Sequence, residues 1–474
     1  MRDPVVIGVD VGTTGTKALA VTPGGTVVGQ GRTATPTEPE AVVAGTLDAV
    51  RQAVASARRP VAGLALCGAM HSLVGLDAGA APVTPLLTWA DDRAAEQAAR
   101  LRDPALARRT GTPMHPMSPL AKLVWWRERE PETFASVRWW GGVKELVLHA
   151  LTGELLIDHG TASGTGLRNL HTEDWDEDAL ALARLSAERL PRLVDGTHAV
   201  PLIADVGLPA GTPVVVGGAD GPLANLGLGA IRPGDVACSI GTSGAVRAAV
   251  DEPWVDPAGR TFCYVLAPGR WVAGGATNGG GIVLEWLRDA VAPDLGTPQA
   301  LLDAAAQAPP GSDGLLFLPH IVGERAPEWL GGARGAYLGL TRTHGRPHLL
   351  RAAIEGTCLQ LAVVLATLAP ATGSVRATGG FARSALWRAI LAAAIDRPIG
   401  FASSAEGSGF GAALLGMTAL GIADSLDAAA DLVRITHTEA PDRGAAAAYA
   451  RVLPAFAAAR EAIAPIVQSL PHAG

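Results

Sequence analysis

Two stretches of the chain share one pattern, in which β-branched and apolar runs flank a short polar turn rich in glycine. The first covers residues 5–21 and the second covers residues 236–250. Apolar runs of this length, separated by a tight turn, predict a β-hairpin in each stretch. Because one hairpin stands near the start of each half of the chain, the repetition indicates a duplicated fold.

Helical and strand-like periodicities alternate along the rest of the chain. Apolar residues recur at helical spacing across 38–58, a short buried strand follows at 61–67, and another strand at 213–218 ends in a strand-to-helix turn. This alternation predicts an α/β protein with mixed sheets flanked by helices. A chain of 474 residues is too long for one ordinary core, so we assign residues 1–230 to an N-terminal domain and 231–474 to a C-terminal domain.

The composition of the chain argues against a partner that is bound mainly through electrostatic attraction. Hydrophobic residues make up 48% of the chain and the formal net charge is −7, which favours neither nucleic acid nor an anionic membrane. The most apolar segment, 349–370, contains Arg351 and Glu355, so it is expected to be a core helix. A strand begins within a few residues of the N-terminus, which leaves no room for a signal peptide, and we expect a cytoplasmic protein. Four scattered cysteines are expected to be reduced, buried thiols: Cys67, Cys238, Cys263 and Cys358.

The turn of the first hairpin carries groups that suit the terminal phosphates of a nucleotide. Gly12 and Gly15 permit a tight or positive-φ backbone, so that successive N–H groups point into one concavity. A strand follows the turn, whereas a helix follows the Gly-x-x-x-x-Gly-Lys-Ser/Thr loop, which is thereby excluded. Taken alone, an ordinary glycine-rich hairpin explains the turn equally well. The remaining groups are two hydroxyl donors, a mobile cation, and a carboxylate placed to hold a hydrated divalent cation: Thr13, Thr14, Lys17 and Asp10.

The second hairpin repeats the turn chemistry of the first but not its charges. Its residues at the positions of Asp10 and Lys17 are uncharged. Two phosphate-type turns, one in each half, are a stronger signal than either turn alone and predict a nucleotide in the cleft between the halves. The turn residues that align with residues 12–15 are Gly241, Thr242, Ser243 and Gly244.

Further turns supply an adenosine site and a general base. Gly379 and Gly380, with Ser384, lie between a predicted strand and helix, where a flat base can approach the backbone. Asp220 stands on the strand-to-helix turn after 213–218 and is the best candidate to accept a proton from a substrate hydroxyl. A helix N-cap is an equally good interpretation of Asp220. Together these features predict ATP-dependent phosphoryl transfer, with magnesium held by Asp10 through water.

Polar groups that follow predicted strands form a candidate polyol site. His71 stands just past the strand 61–67, although a core histidine is the common alternative. The segment 88–93 combines an aromatic wall with groups that bind hydroxyls, and its aspartates also suit the cap of the helix that follows. The candidate residues of that segment are Trp89, Asp91, Asp92 and Arg93.

These motifs resemble the FGGY family of carbohydrate kinases, which belongs to the actin-like ATPase superfamily, over nearly the whole chain. The Asp-x-Gly-Thr-Thr-x-x-Lys run at 10–17 is similar to the first phosphate motif of the family, and residues 241–244 are similar to its second. The Gly-Ala-Tyr-Leu-Gly-Leu run at 335–340, followed by His-Leu and by Ala-Ala-Ile-Glu at 352–355, is similar to its C-terminal signature. Asp220 occupies the place of the family's catalytic base. The resemblance implies two actin-like (ribonuclease H-like) domains with the active site in the interdomain cleft, and ATP and Mg²⁺ as nucleotide and metal.

Within the family, the gluconate kinases are the most similar branch. The similarity lies in Met70 to Ser72, in 88–93, in 111–117 and in 158–180. It implies that Met70 and His115 belong to the substrate site, and that a carboxylate of the substrate meets cationic or histidine donors. The donors considered are His71, Arg93, His115 and Lys144. The expected reaction is the phosphorylation of D-gluconate to 6-phosphogluconate.

Two other functions remain compatible with the sequence. Xylulose kinase of the same family is one, because Met70 and His71 followed by an Asp/Arg segment also suit that branch. A non-catalytic, actin-like module that binds nucleotide and sugar is the other, and it would be marked by loss of the base or of the phosphate-binding residues. The expected partners are ATP and a small sugar or sugar acid, without nucleic acid or membrane; a homodimer is compatible with the sequence, which does not determine the oligomeric state.

Overall fold

The computed structural model describes residues 3–402 and 407–470, which form two compact units. Because the chain passes back and forth, each unit is assembled from three segments. The assignment of 1–230 and 231–474 to two domains stays a prediction. Unit 1 comprises Met1–Pro233, Ala249–Ala273 and Glu406–Arg434, and unit 2 comprises Gly234–Ala248, Gly274–Ala405 and Ile435–Gly474.

The first 227 residues contain ten strands and nine α-helices within the described part of the chain. In chain order they are β1 Val5–Val11, β2 Gly15–Val21, β3 Val27–Ala34, α1 Pro39–Ala57, β4 Val61–Gly68, β5 Val74–Leu76, α2 Ala95–Arg100, α3 Pro104–Thr110, α4 Pro119–Arg129, α5 Pro131–Ser136, β6 Trp139–Gly141, α6 Val143–Thr152, β7 Leu156–Asp158, α7 His159–Ser163, α8 Glu177–Ala183, β8 Arg192–Val194, β9 Ala199–Pro201, β10 Pro213–Ala219 and α9 Asp220–Gly227.

The later elements continue the alternation of strands and helices. They are β11 Val236–Ile240, β12 Gly244–Val250, β13 Phe262–Ala267, β14 Arg270–Thr277, α10 Gly281–Trp286, α11 Pro298–Ala305, β15 Leu316–Leu318, β16 Ala336–Leu338, α12 Arg346–Ala366, β17 Val375–Thr378, α13 Ala385–Ile395, β18 Ile399–Ala402, α14 Gly407–Ala419, α15 Leu426–Ala430, β19 Ile435–Glu439 and α16 Arg443–Ser469.

Unit 1 is built on a six-stranded mixed sheet with the strand order β3-β2-β1-β4-β10-β9. The central strands β1, β4 and β10 are parallel, and β2 and β9 pair with them antiparallel. Side chains alternate between the two faces of the sheet. In β1, Val5, Ile7 and Val9 pack with helices α1 and α6, whereas Val6 packs with α9 and α14. Asp10 lies on the Val6 face, beside the first turn of α14.

The second sheet repeats this core arrangement. Five of its strands follow the order β12-β11-β17-β18-β19, with β11, β17 and β18 parallel and β12 and β19 antiparallel to their neighbours. In both sheets, the first strand of the hairpin has its antiparallel partner on one side and a parallel strand on the opposite side. The order is β2-β1-β4 in the first sheet and β12-β11-β17 in the second. The prediction of an α/β fold with mixed sheets flanked by helices is confirmed.

The two predicted hairpins form, but their registers differ by one residue. In the first, Val11 pairs with Thr16 and Asp10 pairs with Lys17. In the second, Ile240 pairs with Gly244, so three residues lie between the last paired residues, where four lie between them in the first. As a result, Lys17 faces Asp10 across the first hairpin, while its aligned counterpart Val246 pairs with Cys238.

The long apolar helix α12 is a core helix of unit 2. Among the described residues it is the one helix long and apolar enough to span a membrane, and 78% of its most apolar window is buried. Its charged residues are paired, with Arg351 Nε 2.7 Å from Glu355 Oε1. Glu355 also accepts hydrogen bonds from Tyr449 (2.8 Å) and from the Ser312 hydroxyl (2.8 Å). All four cysteines are buried and unpaired, as predicted.

Candidate functional site

Strand pairing in unit 1 places Asp10 beside Cys67. The two residues are register partners in the parallel strands β1 and β4, so their side chains project from the same face. The Asp10 carboxylate accepts a hydrogen bond from the Ser408 hydroxyl through Oδ2, at 2.6 Å. Its other oxygen, Oδ1, is inaccessible to solvent and has no hydrogen-bond partner among the described residues. An acceptor oxygen is therefore left over at the end of β1.

The electrostatic environment of Asp10 is unusual for a carboxylate. Burial, aided by the negative charge of Asp220, raises its pKa to about 6 against the lowering effects of the Ser408 hydroxyl, the Cys67 thiol and Lys17. Burial, followed by the charges of Asp10 and Asp220, holds the pKa of the Cys67 thiol well above its usual value. Two nearby carboxylates of this kind form a site that favours a cation.

The residues at this position fit a hydrated Mg²⁺. The orphaned Oδ1 of Asp10 offers a buried oxygen ligand, which is the ligand type that Mg²⁺ prefers. No group of three or more His, Cys, Asp or Glu residues that could hold a metal occurs in the described ranges 3–402 and 407–470. Mg²⁺ commonly keeps several waters and uses one or two carboxylates together with phosphate oxygens, so a single protein carboxylate is sufficient.

Asp220 is the first residue of α9, directly after β10. Its Oδ1 accepts hydrogen bonds from the backbone N–H groups of Gly221 (2.8 Å) and Met70 (3.3 Å). Ala219 is the N-cap of the helix, and no side chain caps it, so the interpretation of Asp220 as the N-cap is wrong. The carboxylate is instead tied to the Met70 segment, one of the segments predicted to bind substrate.

The turn of the first hairpin is tight for a reason other than positive φ. The sequence allowed either a tight or a positive-φ backbone at Gly12 and Gly15, and neither residue has a positive φ. The Gly12 N–H donates a hydrogen bond to the Gly15 carbonyl oxygen at 3.2 Å. A Cβ on Gly12 would lie 2.9 Å from the same oxygen, so the turn is tight at this point. The Trp89 indole N–H donates to the Thr13 hydroxyl at 3.1 Å. The hydroxyl proton of Thr13 is thus directed away from Trp89, since that oxygen serves as the acceptor.

Lys122 holds together two segments predicted to bind substrate. Its side chain is fully buried, and Nζ donates to the backbone carbonyls of His71 (2.9 Å) and Thr88 (2.5 Å). His71 has a left-handed backbone (φ 64°), and its Nδ1 lies 2.8 Å from the Gly164 carbonyl oxygen. Burial lowers the pKa of Lys122 to about 7. Because a neutral amine keeps two N–H donors, both carbonyls stay hydrogen bonded on either side of that titration.

In the segment 88–93, Asp91 and Arg93 bond to each other. Arg93 Nε lies 2.8 Å from Asp91 Oδ1. Asp92 and Arg93 are exposed. The N-cap of α2 is Ala94, so the alternative in which an aspartate of this segment caps that helix is wrong.

His115 and Tyr264 are buried aromatic residues of the same unit. The backbone N–H of Met117 donates to His115 Nδ1 at 3.2 Å, which stabilises the proline-rich loop. The ring of Tyr264 lies 5.9 Å from the ring of His71 and is stacked on Phe262 at 4.3 Å. Sequence reasoning missed Tyr264, because it stands in a strand with no local polar pattern.

Lys144 is the centre of a buried ion cluster in unit 1. It is 1% exposed, and Nζ lies 2.8 Å from Asp158 Oδ1 and 3.3 Å from Glu145 Oε1. Both carboxylates are buried as well, so the three groups form an internal ion cluster. Lys144 is one of the four donors considered for a substrate carboxylate, and the structure instead pairs it with its neighbour Glu145 on α6 and with Asp158, which follows on β7.

Unit 2 contains a cavity of about 660 Å³ that gathers four of the predicted nucleotide-binding residues. They come from the second hairpin and from the segment after β17. Its walls combine apolar side chains, Leu284, Leu302, Phe381 and Trp387, with polar ones, Glu285, Arg288, Gln299 and Arg383. A volume of this size with mostly apolar walls and a few polar groups suits a small ligand such as a nucleoside. The four predicted residues are Gly241, Thr242, Gly380 and Ser384.

The other predicted residues of unit 2 shape the backbone around this cavity. Gly379 has φ 119°, and a Cβ there would lie 2.1 Å from the Ile240 carbonyl oxygen, so only glycine fits. The Ser384 hydroxyl also caps α13 by accepting from the Trp387 N–H at 3.2 Å. Ser243 closes the second turn, since its carbonyl accepts from the Gly241 N–H at 2.9 Å. Ser243 is not one of the residues that line the cavity.

Comparison with protein families supports the resemblance drawn from the motifs. Residues 5–227 match the N-terminal domain of the FGGY family of carbohydrate kinases, and residues 236–420 match its C-terminal domain. The chain is 38% identical over 485 aligned residues to the gluconokinase of Bacillus subtilis, and the alignment covers 95% of this chain and 94% of that protein.

Solved structures show the same likeness. The gluconate kinase of Lactobacillus acidophilus superposes with a TM-score of 0.93 at 32% identity, covering 98% of this chain and 99% of that one. The ligand-bound xylulose kinase of the same organism superposes with a TM-score of 0.93 at 33% identity, covering 97% and 98%. The fold is therefore common to both kinds of kinase and does not by itself distinguish their substrates.

Proposed function

The chain belongs to the FGGY family of carbohydrate kinases, and we propose that it transfers the γ-phosphoryl group of ATP to D-gluconate, giving 6-phosphogluconate. The enzyme class follows from the family, which phosphorylates carbohydrates. The substrate is supported by one observation above the others, the 38% identity to a gluconokinase along 95% of this chain. Cytoplasmic location and a homodimer remain predictions.

Asp220 is the proposed general base. Its carboxylate begins α9 and is oriented by the N–H groups of Gly221 and Met70. A hydroxyl of the substrate attacks the γ-phosphorus more readily when a carboxylate accepts its proton. The bond to the Met70 N–H links this carboxylate to the segment that carries His71. A substrate bound by that segment would have its reacting hydroxyl near Asp220.

The phosphate-binding role falls to the two hairpin turns. The N–H groups and hydroxyls of residues 12–14 and 241–243 are of the type that binds phosphate oxygens, and Lys17 supplies a positive charge. We assign the nucleoside to the cavity of unit 2, with Gly380 at its edge. Asp10 would hold Mg²⁺ through water, and the ion, when bound, neutralises charge on the phosphates.

For the substrate, we propose that Trp89, Asp92 and Arg93 contact hydroxyls, and that His71 and His115 lie on the carboxylate side. Arg93 forms a pair with Asp91 and would have to share its guanidinium with a ligand. Xylulose kinase is the second candidate, favoured by the equal superposition on a xylulose kinase structure.

The test is ATP consumption by the purified protein with Mg²⁺, comparing D-gluconate, D-xylulose and a panel of polyols and sugar acids. Turnover selective for gluconate supports the proposal. Turnover selective for xylulose retains the kinase but overturns the substrate and the role of a carboxylate subsite. The absence of sugar-dependent turnover with every compound supports the non-catalytic module instead.

The base is tested by Asp220→Asn, which keeps the shape of the side chain but cannot accept the proton. We expect kcat to fall by about 10²–10⁴-fold while ATP binding, measured by calorimetry, stays near that of the wild type. Asp48→Asn is the matched control, since Asp48 is exposed on α1 and pairs with Arg51. Near-normal turnover of the Asp220 variant would overturn the assignment.

A further inference from the structure

We propose that Ser408 is a positioning residue, whose hydroxyl fixes the Asp10 carboxylate so that Oδ1 is presented to a hydrated divalent cation. The proposal rests on the proposed function, in which Asp10 holds Mg²⁺ through water. It goes further by assigning a role to a residue that neither the family motifs nor the sequence pattern identified.

The first turn of α14 is pressed against β1, which brings Ser408 to Asp10. A Cβ on Gly8 would lie 2.1 Å from the Gly409 carbonyl oxygen, so the strand and the helix meet backbone to backbone at this point. A Cβ on Gly409 would lie 3.5 Å from the Asp10 Cβ. The contact at Gly409 is an ordinary van der Waals distance, so it is glycine at position 8 that lets the helix come close enough for the Ser408 hydroxyl to reach the carboxylate at 2.6 Å.

The two oxygens of Asp10 are used differently. Oδ2 accepts the Ser408 hydroxyl, while Oδ1 is buried without a hydrogen-bond partner among the described residues. A buried carboxylate oxygen with no partner is costly unless a cation or a water satisfies it. The Ser408 bond therefore selects which oxygen remains for the cation and restricts rotation of the carboxylate about its Cβ–Cγ bond.

Other groups near Asp10 cannot replace this bond in the same geometry. The thiol of Cys67 is a weak donor, and Asp220 is a like charge that repels Asp10. Without the hydroxyl, the carboxylate is free to turn toward Lys17 on the neighbouring strand, its register partner. We expect the metal site to lose affinity even though Asp10 itself is present, as happens when residues behind a metal ligand are removed.

The test compares Ser408→Ala with Ser408→Thr, which restores a hydroxyl. Binding of Mn²⁺ to the full-length protein with saturating ADP is measured by electron paramagnetic resonance, and kcat and KM with gluconate are measured at varied Mg²⁺. Thr418→Ala is the matched control, because its hydroxyl lies on the same helix and donates to the Leu414 carbonyl at 3.2 Å. Asp10→Asn is included as the reference for a lost carboxylate.

We expect Ser408→Ala to weaken Mn²⁺ binding by roughly tenfold and to raise the Mg²⁺ concentration needed for half-maximal rate to a similar degree, with the KM for gluconate unchanged. Ser408→Thr and Thr418→Ala should behave as the wild type. Unchanged Mn²⁺ affinity in Ser408→Ala overturns the proposal, and so does an equal loss in Thr418→Ala, which would mean a general effect on α14. Mn²⁺ binding that depends on Ser408, in a wild type that does not phosphorylate gluconate, would refute the proposed function and leave this inference standing.

Discussion

The buried ion cluster around Lys144 allows a decisive test of whether that residue is structural. Lys144→Met keeps the length of the side chain and removes its charge. Asp158 and Glu145 then remain as two buried carboxylates without their cation, originally 2.8 and 3.3 Å away. Removing one partner of a buried ion pair costs about 3–5 kcal/mol, because the remaining charge is left uncompensated. That is a large part of the 5–15 kcal/mol by which folded domains are commonly stable.

The cost should also depend on pH. Burial already raises the pKa of Glu145 in the wild type. Without Lys144, the charge that lowers the pKa of Glu145 is lost, so its folded-state pKa lies further above its unfolded value and the native state binds more protons than the unfolded state. Its stability is then lost as the pH rises, by about 1.4 kcal/mol for each unit of pKa difference. We therefore expect the deficit of Lys144→Met to be smaller at pH 5 than at pH 8.

The assay is urea unfolding at 25 °C, followed by tryptophan fluorescence at both pH values. Arg51→Met serves as the matched control, since it removes the cation of an exposed pair whose side chains are 47% and 59% accessible. Pairs of that kind contribute about 0–1 kcal/mol. If Lys144→Met unfolds at the same urea concentration as the wild type and instead raises the KM for gluconate, Lys144 binds substrate and the structural reasoning is refuted.

Two further predictions concern other buried charges. Lys122→Met removes the donor to the His71 and Thr88 carbonyls, so the KM for gluconate should rise roughly tenfold in steady-state kinetics with the KM for ATP unchanged; a change in the KM for ATP alone would contradict this role. Burial raises the pKa of Glu324 to about 7 and lowers the pKa of nearby His320 to about 4. Glu324 therefore contributes stability that is lost as the pH rises from its ordinary pKa of 4.5 to 7. We expect the difference in unfolding free energy between the wild type and Glu324→Gln to fall by about 3 kcal/mol over this range. If urea titrations give the same free-energy difference between the wild type and Glu324→Gln at every pH, this prediction is refuted.

Features encoded by neighbouring residues were predictable from the sequence. The two hairpins form where apolar runs flank a glycine-rich turn, because both strands of each pair are adjacent in the chain. The start of α9 at Asp220 follows from a strand that ends in a Gly-Pro turn. The cavity of unit 2 collects residues from two such turns. Local chemistry is sufficient for features of this kind.

Features that depend on distant partners were not predictable. Lys144 looks like a polar residue of an amphipathic helix, and only the fold shows that Asp158 lies beside it. Ser408 and Asp10 are separated by 398 positions, and the glycines around Ser408 indicate close packing without specifying the partner. Likewise, nothing local to 406–434 indicates that this segment belongs to unit 1.

The late return of that segment has a consequence for how the protein is made. α14 covers the face of the first sheet that carries Val6, Leu19 and Val215. Between Pro233 and Glu406 the ribosome adds roughly 170 residues, which takes roughly 10–35 s at the usual rate of 5–20 residues per second. During this time that apolar face of the N-terminal sheet has α9 against it but lacks α14, so part of it is exposed to chaperones and to aggregation. Truncated chains that stop before α14 would remain in that state permanently, and the Asp10 site would be completed only when residue 408 of 474 has emerged.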